Sequence, residues 1–211
     1  MNPELICISG NTGSGKSTLT RVLAATTGWR AFVEDANTNP YLAEYLSSPT
    51  DWGLHVQLHY LARHLKDSES IRAARVPVVR DRSFYEGAEI YARELYASGL
   101  ISERDYRLYW SLYEPIVALL PQPTVLLYLY ASPDLLISRI SQRARTNEHL
   151  ISRDRVETTC RLYDEWIGGF KTCPVVRVDI ADHDFLHDPN SVQYVLSRIR
   201  EATDSSFGLH Q

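Results

Sequence analysis

The chain predicts a three-layer α/β fold, five parallel strands between layers of helices, and three observations carry that expectation. Short apolar runs of strand length recur, at Leu5-Ile6-Cys7-Ile8, Trp29 to Val33, Pro77-Val78-Val79, Thr124 to Tyr130 and Pro174 to Asp179. Helical stretches separate them, as the crossovers between parallel strands require. Between the first strand and the first helix stands Gly10-Asn11-Thr12-Gly13-Ser14-Gly15-Lys16-Ser17-Thr18, which fits G-x-x-x-x-G-K-[ST] in its expected context.

That segment suits one task. Glycines let the backbone turn with its N–H groups inward, so that loop and helix N-terminus cradle phosphate oxygens. Lys16 brings a cation to the β and γ phosphates of a nucleoside triphosphate, and the Ser17 hydroxyl suits Mg²⁺.

At 211 residues and 44% hydrophobic content the chain is long enough for one sizeable core and short for two, so a single domain over 1–211 is expected. A formal charge of −4 argues against a general nucleic-acid or anionic-membrane surface and leaves room only for a local basic patch. Cys7, Cys160 and Cys173 are an odd number without metal-ligand spacing, as in a reduced cytosolic protein. Met1-Asn2-Pro3-Glu4 lacks a basic leader, and no apolar run approaches the ~18 residues of a membrane span. The expected location is the cytoplasm.

In chain order, Gly28 stops the first helix and the second strand runs into Glu34-Asp35, carboxylates at a strand end where α/β sheets bind ligands. Tyr41 to Leu46 is a short helix, and Asp51 to about Ala74 a long one carrying His55, His59 and His64 on what is expected to be a partly exposed face. The third strand ends in Arg80-Asp81-Arg82-Ser83, a carboxylate placed to reach Mg²⁺ or its water shell. Helices follow over Tyr85 to Ser98 and Ser102 to Leu120, with Pro115 expected to kink or split the second. Both hold more Tyr and Leu than one buried face requires, which fits a dimer interface or a packed aromatic core.

After the fourth strand, Ser132-Pro133 opens a helix with Arg139 and Arg143 on one face and Arg145 beyond. Such a helix holds donor phosphates, or is an ordinary basic helix end. Ser152 to about Phe170, the fifth strand, the polar loop Asp182 to Phe185 and a helix over Ser191 to Ala202 complete the chain, with the tail from Asp204 expected to fray.

Guanine-reading N-K-x-D and the L-S-G-G-Q signature are absent. Glu34, the Asp81-Arg82 pair and the arginine-bearing helix instead suit phosphoryl transfer to a small acceptor. In its loose transition state the protein mainly positions groups and supplies cations, here Lys16, Arg82, Arg139, Arg143 and Mg²⁺. Glu34 is placed to take the proton of an acceptor hydroxyl.

Gly10 to Thr18, Glu34 with Asn39 to Leu42, Trp52 with Gln57, Asp81-Arg82-Ser83 with Tyr85-Glu86, Ile101 to Tyr106, Arg139-x-x-x-Arg143-x-Arg145 and Pro174 to Phe185 together resemble the deoxynucleoside kinase family, in its bacterial deoxyadenosine/deoxyguanosine kinase branch. The resemblance implies a P-loop kinase fold with an arginine-bearing lid at about 139–151, ATP as donor and a purine-favouring nucleoside acceptor. It implies Glu34 as base for the 5′-hydroxyl, Ser17 and Asp81 as magnesium partners, and Arg82 bridging the 5′-oxygen and the phosphate. It puts Trp52 and Gln57 at the nucleoside, with Gln57 reading the base and Tyr91 stacking on it, and Arg145 and Glu148 on the substrate side. Glu148 would contact the sugar hydroxyl, Asp184 and Phe185 would lie by the donor adenine, and a homodimer would form through the two aromatic-rich helices.

The chain departs from the family pattern in four places. Asp35 stands where a Pro is usual, and Leu46 where a sugar-contacting Tyr is usual, with Tyr45 one place away. His64 replaces an Arg and Gly87 an Asp. Losing both charges of that pair predicts a base pocket reshaped coherently, because one buried ion without its partner is costly. A nucleoside monophosphate kinase of thymidylate kinase type and a non-catalytic nucleotide-binding protein are the competing readings.

Overall fold

The computed structural model describes residues 4–35, 38–143 and 151–207. The strands are β1 (Leu5–Gly10), β2 (Arg30–Phe32), β3 (Val78–Asp81), β4 (Val125–Tyr130) and β5 (Val175–Asp179). All pair in parallel in the order β2-β3-β1-β4-β5. Every residue of β1 is buried, as expected for a central parallel strand covered on both faces.

Alternation along the strands divides the core in two. Ile6, Ile8, Val79 and Leu127 face α1 (Lys16–Thr27), α6 (Pro133–Arg143) and α8 (Pro189–Phe207). Leu5, Cys7, Val78 and Leu126 face the other layer, formed by α3 (Pro49–Arg72), a π-helix (Gly87–Ala92) continuing as α4 (Arg93–Ala97), and α7 (Arg153–Gly169). The short α2 (Leu42–Ser47) and α5 (Glu103–Leu119) pack outside α3. The expected three-layer parallel architecture is therefore present.

Local chemistry sets the ends as expected. Gly28 at φ 76° caps α1 by donating its N–H to Ala24 O, and the side chains of Ser132 and Ser152 accept from Leu135 N and Arg155 N at the starts of α6 and α7.

Three expectations need correction. Of the kink or split expected at Pro115, the split is absent: α5 runs unbroken through it, with Pro115 and Ser111, whose carbonyl loses its intrahelical donor, both exposed. The helix expected over Tyr85 to Ser98 opens as a π-helix. α8 (Pro189–Phe207) is longer at both ends than the helix expected over Ser191 to Ala202, its inner face buried through Val195, Leu196, Ile199 and Thr203. No helix among the described residues is long and apolar enough to cross a membrane, and none of the three cysteines forms a disulfide.

Candidate active site

The chain passes to one side of β1 to build β3 and β2, and to the other to build β4 and β5, so a crevice opens beyond the carboxyl ends of the central strands. Gly10, Glu34 and Asp81 stand at that edge.

The glycine loop is held from several directions. A Cβ on Gly10 would sit 2.4 Å from Leu129 O, and one on Gly13 2.9 Å from Leu136 O, so neither position admits a side chain. Asn11 Nδ2 donates to Val156 O and Thr159 Oγ1 of α7 at 3.1 and 2.8 Å, and Asn11 Oδ1 accepts from Thr12 N. Gly15, at φ 88°, precedes an α1 N-terminus without a side-chain cap or an acidic first turn, so its amides remain available to an anion. Ser14 Oγ is buried without a hydrogen-bond partner among the described residues, and Thr18 is half-buried. Lys16 Nζ donates to Gly10 O and Asn11 O at 2.6 and 2.9 Å. Burial, with a smaller push from Arg82, lowers its pKa to about 8, against the opposing pull of Asp81, Glu86 and Glu34.

Ser17 Oγ donates to Asp81 Oδ2 at 2.5 Å, and Asp81 is buried. These two oxygens join the loop helix to β3 and form a hard donor pair of the kind Mg²⁺ takes alongside phosphate oxygens. Among the described residues no group of three or more His, Cys, Asp or Glu could hold a metal without such help.

Glu34 Oε2 lies 3.1 Å from Arg82 Nε, both side chains largely buried. Burial raises the Glu34 pKa and Arg82 partly restrains it. Arg82 has φ 72°, the one described non-glycine residue in the left-handed region, a strain of about 1–3 kcal/mol. Its N–H donates to Ile8 O at 2.8 Å, and its guanidinium lies 4.5 Å from the centre of the Tyr91 ring.

Reading the sequence missed what fixes this corner. Glu86 is fully buried and accepts from Ser9 Oγ at 2.9 Å, from Ser83 N at 2.5 Å and more weakly from Gly10 N at 3.4 Å. The Tyr163 hydroxyl bridges Glu86 Oε1 at 2.5 Å and Gly10 O at 2.9 Å. One carboxylate thus ties the loop, the strained exit of β3 and α7 together. Ser83-x-x-Glu86 has capping-box spacing, the signal that points to it in the sequence.

Gln57 is buried on α3 across from Gly87. Trp52 is half-buried in an aromatic cluster, stacked on Tyr41 with centroids 5.7 Å apart. Tyr45, not Leu46, is the buried one of that pair; its hydroxyl accepts from Arg155, which also pairs with Glu94 at 3.2 Å. His64 is buried, contrary to the expected exposed face, because the Arg80 side chain enters the same layer. Arg80 donates to His64 Nδ1 at 2.7 Å and to Asp67 at 3.0 Å. Burial, then Arg80, depresses the His64 pKa well below its ordinary value, so the ring is neutral with its proton on Nε2. His64, Asp67 and Arg80, with Tyr60 and Arg63, line a cavity of about 200 Å³ that reaches Glu34 and Asp81.

The remaining expected residues lie apart from this cluster. Arg139 donates to Ile180 O at 2.9 Å, and Arg143 ends α6, exposed. Phe185 packs into the core between β5 and α8, while exposed Asp184 caps its own turn by accepting from Leu186 N and His187 N. Arg145 and Glu148, and with them most of the expected lid, lie outside the described residues.

Comparison with known proteins agrees with this geometry. A family model described as deoxynucleoside kinase matches residues 6–204. The chain is 37% identical over 198 residues to deoxyadenosine/deoxycytidine kinase of Bacillus subtilis (strain 168), covering 93% of this chain and 91% of the relative. It is 24% identical over 204 residues to deoxyguanosine kinase of the same organism, covering 93% and 96%. Among solved structures it resembles deoxyadenosine kinase from M. mycoides with bound dATP, at TM-score 0.82 and 25% identity, covering 93% of this chain and 99% of that one.

Proposed function

The chain belongs to the deoxynucleoside kinase family, and from that premise we propose that it moves the γ-phosphoryl group of ATP to the 5′-hydroxyl of a deoxynucleoside, purine in preference, with Glu34 as general base. The observation that carries this reading is the Glu34–Arg82 pair at 3.1 Å, set beside Lys16 and the Ser17–Asp81 contact. A carboxylate made more basic by burial takes the hydroxyl proton as the new bond forms. The adjacent guanidinium meets the charge that develops on the transferring oxygens. The glycine loop amides and Lys16 hold the donor phosphates. Ser17 and Asp81 would hold Mg²⁺, which when bound neutralises charge on the β and γ oxygens.

In this reading Arg139 and Arg143 of α6 would serve the donor phosphates, Arg145 and Glu148 the substrate side, and Asp184 and Phe185 the donor adenine. Trp52, Gln57 and Tyr91 form the nucleoside side. In this reading the protein is cytoplasmic and homodimeric; the dimer is supported by Leu108, Leu112 and Leu119, exposed on one face of α5.

A coupled ATPase assay against deoxynucleosides and their monophosphates tests the reading. Turnover stimulated by deoxynucleosides is expected. Turnover stimulated only by monophosphates would assign the protein to the monophosphate kinases, and none at all to nucleotide binding without catalysis.

A further inference from the structure

Gly87 lies on the same face of the π-helix as Tyr91, one turn away, and across from Gln57. Its φ does not lie in the glycine-favouring region, so backbone conformation does not demand glycine there. Space does. A Cβ would meet the Tyr109 hydroxyl at 2.9 Å and Gln57 Oε1 at 3.8 Å. The absent side chain admits a phenol that reaches in from α5, its ring stacked on Tyr113 with centroids 6.3 Å apart.

Tyr109 is 2% exposed and Gln57 5%. Among the described residues neither the Tyr109 hydroxyl nor the Gln57 amide makes a hydrogen bond to protein, yet neither is one of the polar atoms sealed from solvent without a partner. Two uncommitted polar groups therefore stand side by side with access to solvent. Burial pushes the Tyr109 pKa up, so the phenol keeps its proton and can donate it.

We infer that Tyr109 is a base-reading residue, its hydroxyl donating to N7 of a purine whose N1–C6 edge is held by Gln57; this deepens the nucleoside-kinase reading and rests on it. The Gln57 amide alone does not discriminate, since it pairs with donor–acceptor edges of either base class by flipping. A hydroxyl beside it does. Purines carry a ring-nitrogen acceptor next to the C6 substituent, whereas pyrimidines present carbon there. A pyrimidine would leave the hydroxyl without an acceptor, a penalty that a site built for hydrogen bonding imposes on an analogue lacking the matching group.

The test compares kcat/KM for deoxyadenosine with that for 7-deaza-2′-deoxyadenosine, in which C–H replaces N7, using the full chain and its Tyr109→Phe and Tyr113→Phe variants. The parent is expected to favour deoxyadenosine by roughly tenfold, the effect of one hydrogen bond to a buried partner. Tyr109→Phe should bring the ratio to near one, and Tyr113→Phe should keep the parent's ratio. Equal use of the two nucleosides by the parent overturns the inference without recourse to any variant, as does a ratio that survives Tyr109→Phe. If the parent phosphorylates no deoxynucleoside at all, the functional reading fails and takes this inference with it.

Discussion

Replacing Glu86 by Gln tests whether one buried carboxylate organises the catalytic corner. Oε2 accepts from Ser9 Oγ and Ser83 N, and Oε1 from the Tyr163 hydroxyl and, more weakly, from Gly10 N, a contact the variant gives up. The amide of Glu86→Gln therefore orients with its NH₂ toward Tyr163, whose oxygen accepts from it while its own proton turns to Gly10 O, 2.9 Å away. The other two bonds survive but lose charge assistance, a change of about 1 kcal/mol each, so the variant is expected to lose about 2 kcal/mol. For a chain of this size that lowers Tm by roughly 4–8 °C. Adding Tyr163→Phe removes a contact that Glu86→Gln has already changed from charge-assisted to neutral, so the double variant should lose about 1 kcal/mol less than the two single losses combined. Denaturant melts of the four proteins measure this cycle. A Glu86→Gln variant melting within 1 °C of the parent, or strict additivity in the double variant, would refute the reasoning.

Lys16, with its pKa lowered to about 8 by burial, sheds its charge as pH rises through that value in the free enzyme. The kcat/KM for ATP should fall above about pH 8 while kcat at saturating ATP holds, because bound phosphates stabilise the ammonium; a flat kcat/KM profile to about pH 9.5 would contradict this. Asp81→Asn removes one charge from the proposed Mg²⁺ pair and should raise the Mg²⁺ concentration needed for half-maximal activity about tenfold or more; an unchanged requirement counts against the pair. Leu112→Glu puts a charge in the exposed leucine face of α5 and should yield monomers in sedimentation velocity where the parent, on the proposed reading, sediments as a dimer, whereas identical profiles count against an interface on this face.

The elements that local chemistry defines were legible in the sequence. The G-x-x-x-x-G-K-S loop, the Gly28 cap, the Ser132-Pro133 start of α6 and the apolar run of β4 each declare themselves within a few residues. Groups at strand ends followed once the fold class was granted, and the structure brings Glu34 and Arg82, and Ser17 and Asp81, into contact. What stayed hidden depends on partners distant in sequence. Glu86 is an unremarkable residue until Ser9 and Tyr163 arrive from 77 positions to either side. His64 reads as a surface histidine until Arg80 turns into the same layer, and Gly87 as a lost charge until Tyr109 fills the space. On α5 the packed aromatic core is present, with Tyr109 and Tyr113 pointing inward, while Leu108 and Leu112, about 100° round, face solvent.

Glu34→Gln keeps the size of the side chain and a hydrogen-bonding oxygen for Arg82 but cannot take a proton. Single-turnover phosphorylation of deoxyadenosine by this variant is expected to slow by about 10²–10⁴-fold with little change in nucleoside affinity. Phosphorylation at the parent's rate would show that the carboxylate beside Arg82 is not the base.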